Sequence, residues 1–209
     1  MTWLHRTPCS IGRAALQDAL LVPLVRAVCA PFQANGAFRE TEALVIVANH
    51  ASHLDAPAIL AALPPHARHR TAIAAADDYF YRQRLLGFAV SLAIGAFPFP
   101  RQGSLGLDRA ADLLARGWNV LLFPEGTRSA DGALHDFRCG VGRLVARTHA
   151  PVLPVGIVGS HALWPRSQRF PRRGPVAVRF GEPWHPEPGL SAPEVANELN
   201  RRVAALIGV

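Results

Sequence analysis

Two short apolar runs of this chain each end in a cluster of polar residues. The run at 43–48 leads into Asn49-His50-Ala51-Ser52-His53-Leu54-Asp55, and the run at 120–123 leads into Pro124-Glu125-Gly126-Thr127-Arg128-Ser129. Continuous apolar runs of this length are typical of strands that are buried on both faces of a sheet. Because the chemistry of α/β sheets lies at the carboxyl ends of strands, we expect the two clusters to form one site.

Strand-like and helix-like segments alternate after Gly36, which predicts an α/β fold with a mainly parallel or mixed sheet covered by helices. The predicted strands are residues 43–48, 71–76, 95–99, 119–123, 152–157 and 176–180. The predicted helices are residues 56–63, 78–94, 105–116, 140–148 and 192–207. Ser104 is the expected N-cap of the helix at 105–116 and Gly117 its stop, and Ser191 with Glu194 forms a capping box on the last helix.

The N-terminal segment is mostly apolar between residues 14 and 32. Asp18, Pro23 and Arg26 interrupt it, which argues against a membrane span, and Arg26 also argues against a secretory signal. Leucine and valine recur at helical spacing, with Arg13, Gln17 and Arg26 available for another face. The pattern predicts an amphipathic helix kinked near Pro23, either in a membrane interface or packed on the protein's own core.

The N-terminal helical pattern and the alternating segments after Gly36 predict the domain organisation. We assign residues 1–35 to a membrane-interface helical segment and residues 36–209 to one globular domain, which is long enough to bury a core. Cys9, Cys29 and Cys139 form no C-x-x-C pair, so reduced thiols are expected.

The net charge of +7 comes with 22 basic residues, all of them arginine. Arginine usage of this kind fits either a bias in the base composition of the genome or an anionic partner, such as a phosphorylated substrate or an acidic membrane surface. The sequence has no zinc-finger spacing, RNP-like aromatic motif or clear helix-turn-helix signature, so no nucleic acid is expected as a partner.

His50 and Asp55 are spaced so that a helical turn between them brings the side chains together. A neutral imidazole can take a proton from an alcohol that attacks a carbonyl, and a carboxylate on its other ring nitrogen fixes the tautomer. Ser52 or His53 is placed to cap the turn. The alternative is an ordinary capped turn with no catalytic role.

The second cluster offers the parts of a phosphate site. Gly126 supplies backbone N–H groups at a turn, Thr127 a hydroxyl and Arg128 a guanidinium fork. A plain surface loop with Glu125 paired to Arg128 is the alternative. Arg101, which follows a Phe-Pro-Phe-Pro run, is either a third anchor or a solvated loop residue.

Together these segments resemble the glycerolipid acyltransferase family over about residues 43–157. The family's first motif, N-H-x-x-x-x-D, is present as Asn49, His50 and Asp55, and its third, F-P-E-G-T-R-S, is present in full at 123–129. Its second motif, an apolar run that begins with Gly and ends in Arg, matches residues 95–101. Its fourth, a proline-centred apolar strand, matches residues 152–155. The chain departs from the second motif at Pro100, where the family usually has an acidic residue.

The resemblance implies an O-acyltransferase in which His50, oriented by Asp55, deprotonates the acceptor hydroxyl for a direct attack on an acyl thioester. The acceptor phosphate would be held by five residues: Arg101, Glu125, Gly126, Thr127 and Arg128. Three more residues would support the site: Asn49, Ser52 and Pro154. No metal or cofactor is implied. The implied co-substrate is acyl-CoA or an acyl carrier protein thioester. The implied acceptor is a lysophospholipid, either 1-acylglycerol-3-phosphate, which would give phosphatidic acid, or another lipid. The expected location is peripheral, on the cytoplasmic face of the cell membrane.

Three other classes of protein share single features with these residues. The H-x-H-x-D-H cluster of metallo-β-lactamases needs histidines two apart, whereas His50 and His53 are three apart. A serine hydrolase needs G-x-S-x-G, which does not occur. A non-catalytic membrane-surface module could use the N-terminal helix and a basic loop (Arg166, Arg169, Arg172 and Arg173), yet it would have no need of His50 and Asp55.

Overall fold

The structure is a computed structural model that describes residues 7–36, 38, 42–76, 93–100 and 103–209. Its strands are β1 (Phe32–Asn35), β2 (Val45–Ala48), β3 (Thr71–Ala76), β4 (Ala96–Phe99), β5 (Asn119–Leu122), β6 (Val152–Val158) and β7 (Val176–Phe180). Within the described residues they form one sheet in the order β1-β7-β6-β2-β5-β3-β4. All neighbours are parallel except β6 and β7, so the sheet is mixed.

Helices cover both faces of the sheet. They are α1 (Thr7–Leu16), α2 (Val22–Val28), α3 (Asp55–Ala62), α4 (Pro65–Arg68), α5 (Leu105–Ala115), α6 (Gly140–Thr148), α7 (Ser160–Leu163) and α8 (Ala192–Ile207), with a π-helical turn (Gln17–Leu21) between α1 and α2. On β2, Ile46 and Ala48 pack with α2 and α3, whereas Val45 and Val47 pack with α5, α6 and α8. Burial on both faces explains why this strand reads as a continuous apolar run.

The predicted fold class is confirmed, and most predicted elements lie within two residues of the observed ones. The exception in the middle of the chain is the helix at 78–94, which lies largely outside the described residues. Gly117 ends its helix in a left-handed conformation, and the capping box of Ser191 with Glu194 is present. Ser104 holds the N-cap position, but its side chain caps no backbone N–H and bonds Asp108 instead.

The sequence prediction missed β1 and the short helices α4 and α7. The β1 strand is largely exposed at the edge of the sheet, so it carries no apolar run to mark it. It pairs in parallel with β7, and Phe32 lies opposite Val176. The N-terminal helical segment therefore ends before Phe32, and not at residue 35 as predicted.

The N-terminal helices depart from the predicted faces at several positions. Arg13 and Gln17, expected to face away from the apolar side, are 1% and 0% exposed, whereas Leu20 and Leu24 are 58% and 56% exposed. Arg13 donates to the carbonyl of His69, and Gln17 donates to the carbonyl of Ala93. The π turn, just before the expected kink at Pro23, inserts an extra residue per turn and shifts which side chains point inward.

The N-terminal helices therefore have one side packed on the protein's own core and other apolar side chains exposed on the surface. Val25 and Cys29 pack into the core, while the apolar side chains of Ile11, Leu20 and Leu24 are exposed. Among the described residues, no helix has the length and apolar character needed to cross a bilayer.

Candidate active site

His50 and Asp55 are in direct contact at the carboxyl end of β2. His50 Nδ1 lies 2.8 Å from Asp55 Oδ2, and the two side chains are 21% and 0% exposed. The same carboxylate oxygen accepts the backbone N–H groups of Ala51 and Ser52, each at 2.7 Å. Asp55 is the first residue of α3, where a negative charge is stabilised by the helix dipole. The N–H groups and the helix end hold the carboxylate in place while His50 reaches the surface.

Ser160 completes the surroundings of Asp55. Its hydroxyl donates to Asp55 Oδ1 at 2.6 Å, and both residues are buried. Sequence reasoning missed Ser160. It follows the end of β6, so the strand-end argument used for His50 would have found it.

Glu125 links the two polar clusters. Its Oε1 accepts the backbone N–H of His50 at 2.6 Å, and its Oε2 accepts the backbone N–H of His135 at 3.2 Å. Burial raises the pKa of Glu125, an effect opposed by these two N–H donors and by the nearby histidine charges. The carboxylate is thus engaged by the backbone on both oxygens.

A second backbone bond and a ring contact fix His50 against the same loop. Ser129 N donates to the carbonyl of His50 at 2.7 Å. The ring of Phe123 stacks on the imidazole, with centroids 4.1 Å apart and planes 20° apart. His50 is therefore held through its N–H, its carbonyl and its ring by residues of the second cluster.

Gly126 forms the tight turn of that loop. Its φ is +76°, which favours glycine, and a Cβ placed there would lie 2.7 Å from Nε of Arg138. The Arg138 guanidinium thus lies directly over the turn, at a position that sequence reasoning did not assign to the site.

Arg128 lies against His53. Its Nη1 contacts the His53 ring nitrogens at 2.5 Å, and the His53 ring also packs on Trp164 with centroids 5.0 Å apart. Partial burial and, to a smaller extent, the charges of Arg128 and His50 together lower the pKa of His53 to about 4. A neutral His53 accepts a hydrogen bond from Arg128 and orients the guanidinium.

The remaining predicted residues have separate positions. Asn49 is buried and bonds Ile157 in both directions, with Nδ2 donating to its carbonyl at 3.0 Å and Oδ1 accepting its N–H at 2.8 Å. Ser52 Oγ donates to the carbonyl of Trp164 and accepts from Leu54 N. Thr127 is exposed at the loop.

Pro154 lies inside β6, opposite Val47. Arg101 lies outside the described residues. The part of the chain that the structure describes contains no group of three or more His, Cys, Asp or Glu side chains placed to hold a metal ion.

A family model described as Acyltransferase matches residues 32–158, which contain His50, Asp55 and the whole second polar cluster at 124–129. The chain belongs to the acyltransferase family. The resemblance found in the sequence is thereby confirmed.

Relatives within the acyltransferase family carry a consistent description. The chain is 34% identical over 125 residues to the chloroplastic 1-acyl-sn-glycerol-3-phosphate acyltransferase LPAT1 of Arabidopsis thaliana, covering 57% of this chain and 34% of that one. It is 30% identical over 162 residues to the human 1-acyl-sn-glycerol-3-phosphate acyltransferase beta, covering 75% and 56%. The chain thus spans about a third of LPAT1 and just over half of the human protein.

A solved acyltransferase shares the fold. The crystal structure of the 1-acyl-sn-glycerophosphate acyltransferase PlsC from Thermotoga maritima matches with a TM-score of 0.74 at 23% identity. The match covers 94% of this chain and 77% of that one.

Proposed function

We propose that this chain transfers a fatty acyl group from an acyl thioester to the hydroxyl of a lysophospholipid, with 1-acylglycerol-3-phosphate as acceptor and phosphatidic acid as product. The observation that carries the proposal is the contact of His50 with a buried, fully hydrogen-bonded Asp55, directly beside the Glu125–Arg128 loop. The family membership and the names of the curated relatives support the same reaction.

The chemical step follows from the bonding of His50. Because Asp55 engages Nδ1, Nε2 is left to accept the hydroxyl proton while the hydroxyl oxygen forms a bond to the thioester carbonyl carbon. Collapse of the tetrahedral intermediate breaks the C–S bond, and the imidazolium returns the proton to the leaving thiolate. Asp55 stabilises the imidazolium in between. No acyl-enzyme is formed.

We assign the acceptor phosphate to Arg128, with Thr127 and the Gly126 turn beside it. A guanidinium binds phosphate through two parallel hydrogen bonds, and His53 orients this one. Glu125 is assigned a different task from the one its sequence motif suggests. With both oxygens bonded to backbone N–H groups, it positions His50 and contributes no donor to a phosphate.

We place the protein peripherally at a membrane surface, on the cytoplasmic face of the cell membrane. Ile11, Leu20 and Leu24 expose large apolar side chains on the N-terminal helices, and such side chains suit the interface between headgroups and acyl chains. Serine at Leu20 and Leu24 should weaken vesicle flotation of the full chain, and undiminished flotation would contradict this contact.

The reaction is tested by mass spectrometry of products. Purified protein is supplied with an acyl-CoA or an acyl carrier protein thioester and a panel of lysolipids, and phosphatidic acid is expected from 1-acylglycerol-3-phosphate. If a different acylated lipid were the main product, the proposed acceptor would be wrong. If neither donor gave an acylated lipid, the chain would be a non-catalytic membrane-binding module. Protein incubated with the thioester alone should gain no acyl mass.

A further inference from the structure

The loop between α7 and β7 presents arginines around an exposed aromatic ring. We define the arginine loop as residues 165–175, with Arg166, Arg169, Arg172 and Arg173 all exposed and no acidic residue among them. Phe170 is 67% exposed at its centre, and the Arg169 guanidinium lies 5.2 Å from the centre of its ring. An exposed aromatic ring beside guanidinium groups suits the surface of a membrane, where anionic headgroups cover an apolar interior.

These arginines differ from many others on the surface. Arg116, Arg147 and Arg201 each pair with a carboxylate, namely Asp112, Asp108 and Glu198. Within the described part of the chain, none of the four in the arginine loop makes an ion pair. Their charges are therefore available to an anionic partner.

The exposed ring is held by an ordered loop. Trp164 Nε1 donates to the carbonyl of Gln168 at 3.0 Å, and Arg172 N donates to the carbonyl of Leu163 at 2.9 Å, which closes the loop on itself. Gln168 Nε2 also bonds the carbonyl of Phe170. These bonds hold the backbone of the loop on both sides of Phe170, and the Phe170 ring stays exposed against the tendency of apolar groups to bury themselves.

The arginine loop lies at the edge of the sheet that carries the candidate active site. It follows β6 and α7, and because β6 runs parallel to β2 the carboxyl ends of both strands lie at the same end of the sheet. The carbonyl of Trp164, at the start of the loop, accepts the His53 N–H at 3.2 Å and the Ser52 hydroxyl at 2.8 Å. At the other end, Gly174 N donates to the carbonyl of Val28, the last residue of α2.

We infer that the arginine loop is a docking surface for an anionic phospholipid bilayer. Its guanidinium groups bind headgroup phosphates, and Phe170 inserts among the acyl chains beside them. The loop is hydrogen-bonded to Ser52 and His53 at one end and to Val28 of α2 at the other, so docking brings the candidate active site to the bilayer. The surface is separate from the residues assigned to the acceptor phosphate.

The test compares full-length variants in vesicle co-sedimentation without acyl donor, so its result does not depend on the proposed reaction. Arg169→Gln, Arg172→Gln and Arg173→Gln are combined in one variant, and Arg116→Gln, Arg147→Gln and Arg201→Gln in a control of equal charge change. The loop variant should bind phosphatidylglycerol-containing vesicles at least tenfold more weakly, since each charge near the surface is worth on the order of fivefold in affinity. The control variant should bind as the wild type does.

The apolar contribution is tested separately. Phe170→Ser should weaken binding both to phosphatidylglycerol-containing vesicles and to vesicles of phosphatidylcholine alone, whereas the arginine variant should lose only the preference for the anionic ones. If the arginine-loop variant and the control variant lost vesicle binding equally, the effect would come from net charge alone and the inference would be overturned. Unchanged vesicle binding with a selective loss of acyl carrier protein use would assign the loop to an acidic protein instead.

Discussion

The backbone N–H of His50 donates to the carboxylate of Glu125 at 2.6 Å, across 75 positions of sequence. The proposed base thus takes its position from the loop that also carries Arg128. The proposed base and the proposed acceptor anchor are therefore connected through one hydrogen-bonded loop, and such positioning of two reactants supplies a large part of an enzyme's rate.

Replacing Glu125 by glutamine tests the positioning role. Glutamine has an NH₂ group in place of one carboxylate oxygen, so one of the two backbone N–H groups loses its acceptor. His50 should therefore shift, and kcat should fall by about tenfold to a hundredfold. The KM for the acceptor should change by less than about threefold, because Glu125 does not touch the phosphate in this account. A change mainly in KM would restore the role in phosphate binding that the sequence motif suggests. Glu187→Gln, in an exposed loop, serves as the control.

Replacing Ser160 by alanine removes a buried donor from Asp55. A buried charged group that loses a hydrogen bond costs about 1–3 kcal/mol, so both the free energy of unfolding and kcat should fall. Ser160→Thr keeps the hydroxyl and should recover most of kcat. Ser191→Ala, at the N-cap of α8, should cost about 1 kcal/mol of stability and leave kcat unchanged. If both alanine variants affected kcat alike, Ser160 would have only a structural role.

The pKa of His53 should respond to Arg128. In the wild type, NMR titration of His53 should give a pKa of about 4, caused by burial and then by the Arg128 charge. Arg128→Gln should raise that pKa toward its ordinary value and also raise the KM for the acceptor. An unchanged pKa would mean that the two side chains do not interact in solution.

The same shift makes a prediction about stability. Between pH 6.5 and about 4 the unfolded chain binds a proton at His53 more readily than the folded chain does, so this group's contribution to stability falls as the pH falls through that window. In chemical denaturation, the free energy of unfolding should fall less over this pH window for Arg128→Gln than for the wild type. An equal loss in both proteins would contradict the assignment.

Alanine at Gly126 should be worse than alanine at Gly117. Both glycines have a φ near +76°, which costs about 1–2 kcal/mol for any other residue. At Gly126 the new Cβ would also lie 2.7 Å from Arg138, whereas at Gly117 it meets nothing within 4 Å. The Gly126 variant should lose acceptor affinity and recover part of it when Arg138→Ala is added. Equal behaviour of the two variants would show that the contact with Arg138 is unimportant.

The sequence predicted the sheet and the contact between its two polar clusters because both depend on local patterns. Buried strands such as β2 read as apolar runs, and parallel strand ends meet at one edge of a sheet. The exposed strand β1 carries no such pattern. On the N-terminal helices, the π turn and the long-range bonds of Arg13 and Gln17 determine which side is buried, and periodicity alone cannot reveal them.

The task of Glu125 was also beyond sequence reasoning. Its motif identifies it as a member of the site, but only the fold shows that its oxygens face the backbone of His50 and His135. Ser160 and the His53–Arg128 contact likewise depend on segments that are distant in sequence.

The central claim is that His50 removes the acceptor's proton, and the most direct test is the kcat of His50→Ala with 1-acylglycerol-3-phosphate and an acyl thioester. The variant should fold normally and lose about a hundredfold to ten-thousandfold of the wild-type kcat, while His185→Ala, an exposed histidine, retains it. A folded His50→Ala protein with near-normal kcat would contradict the account.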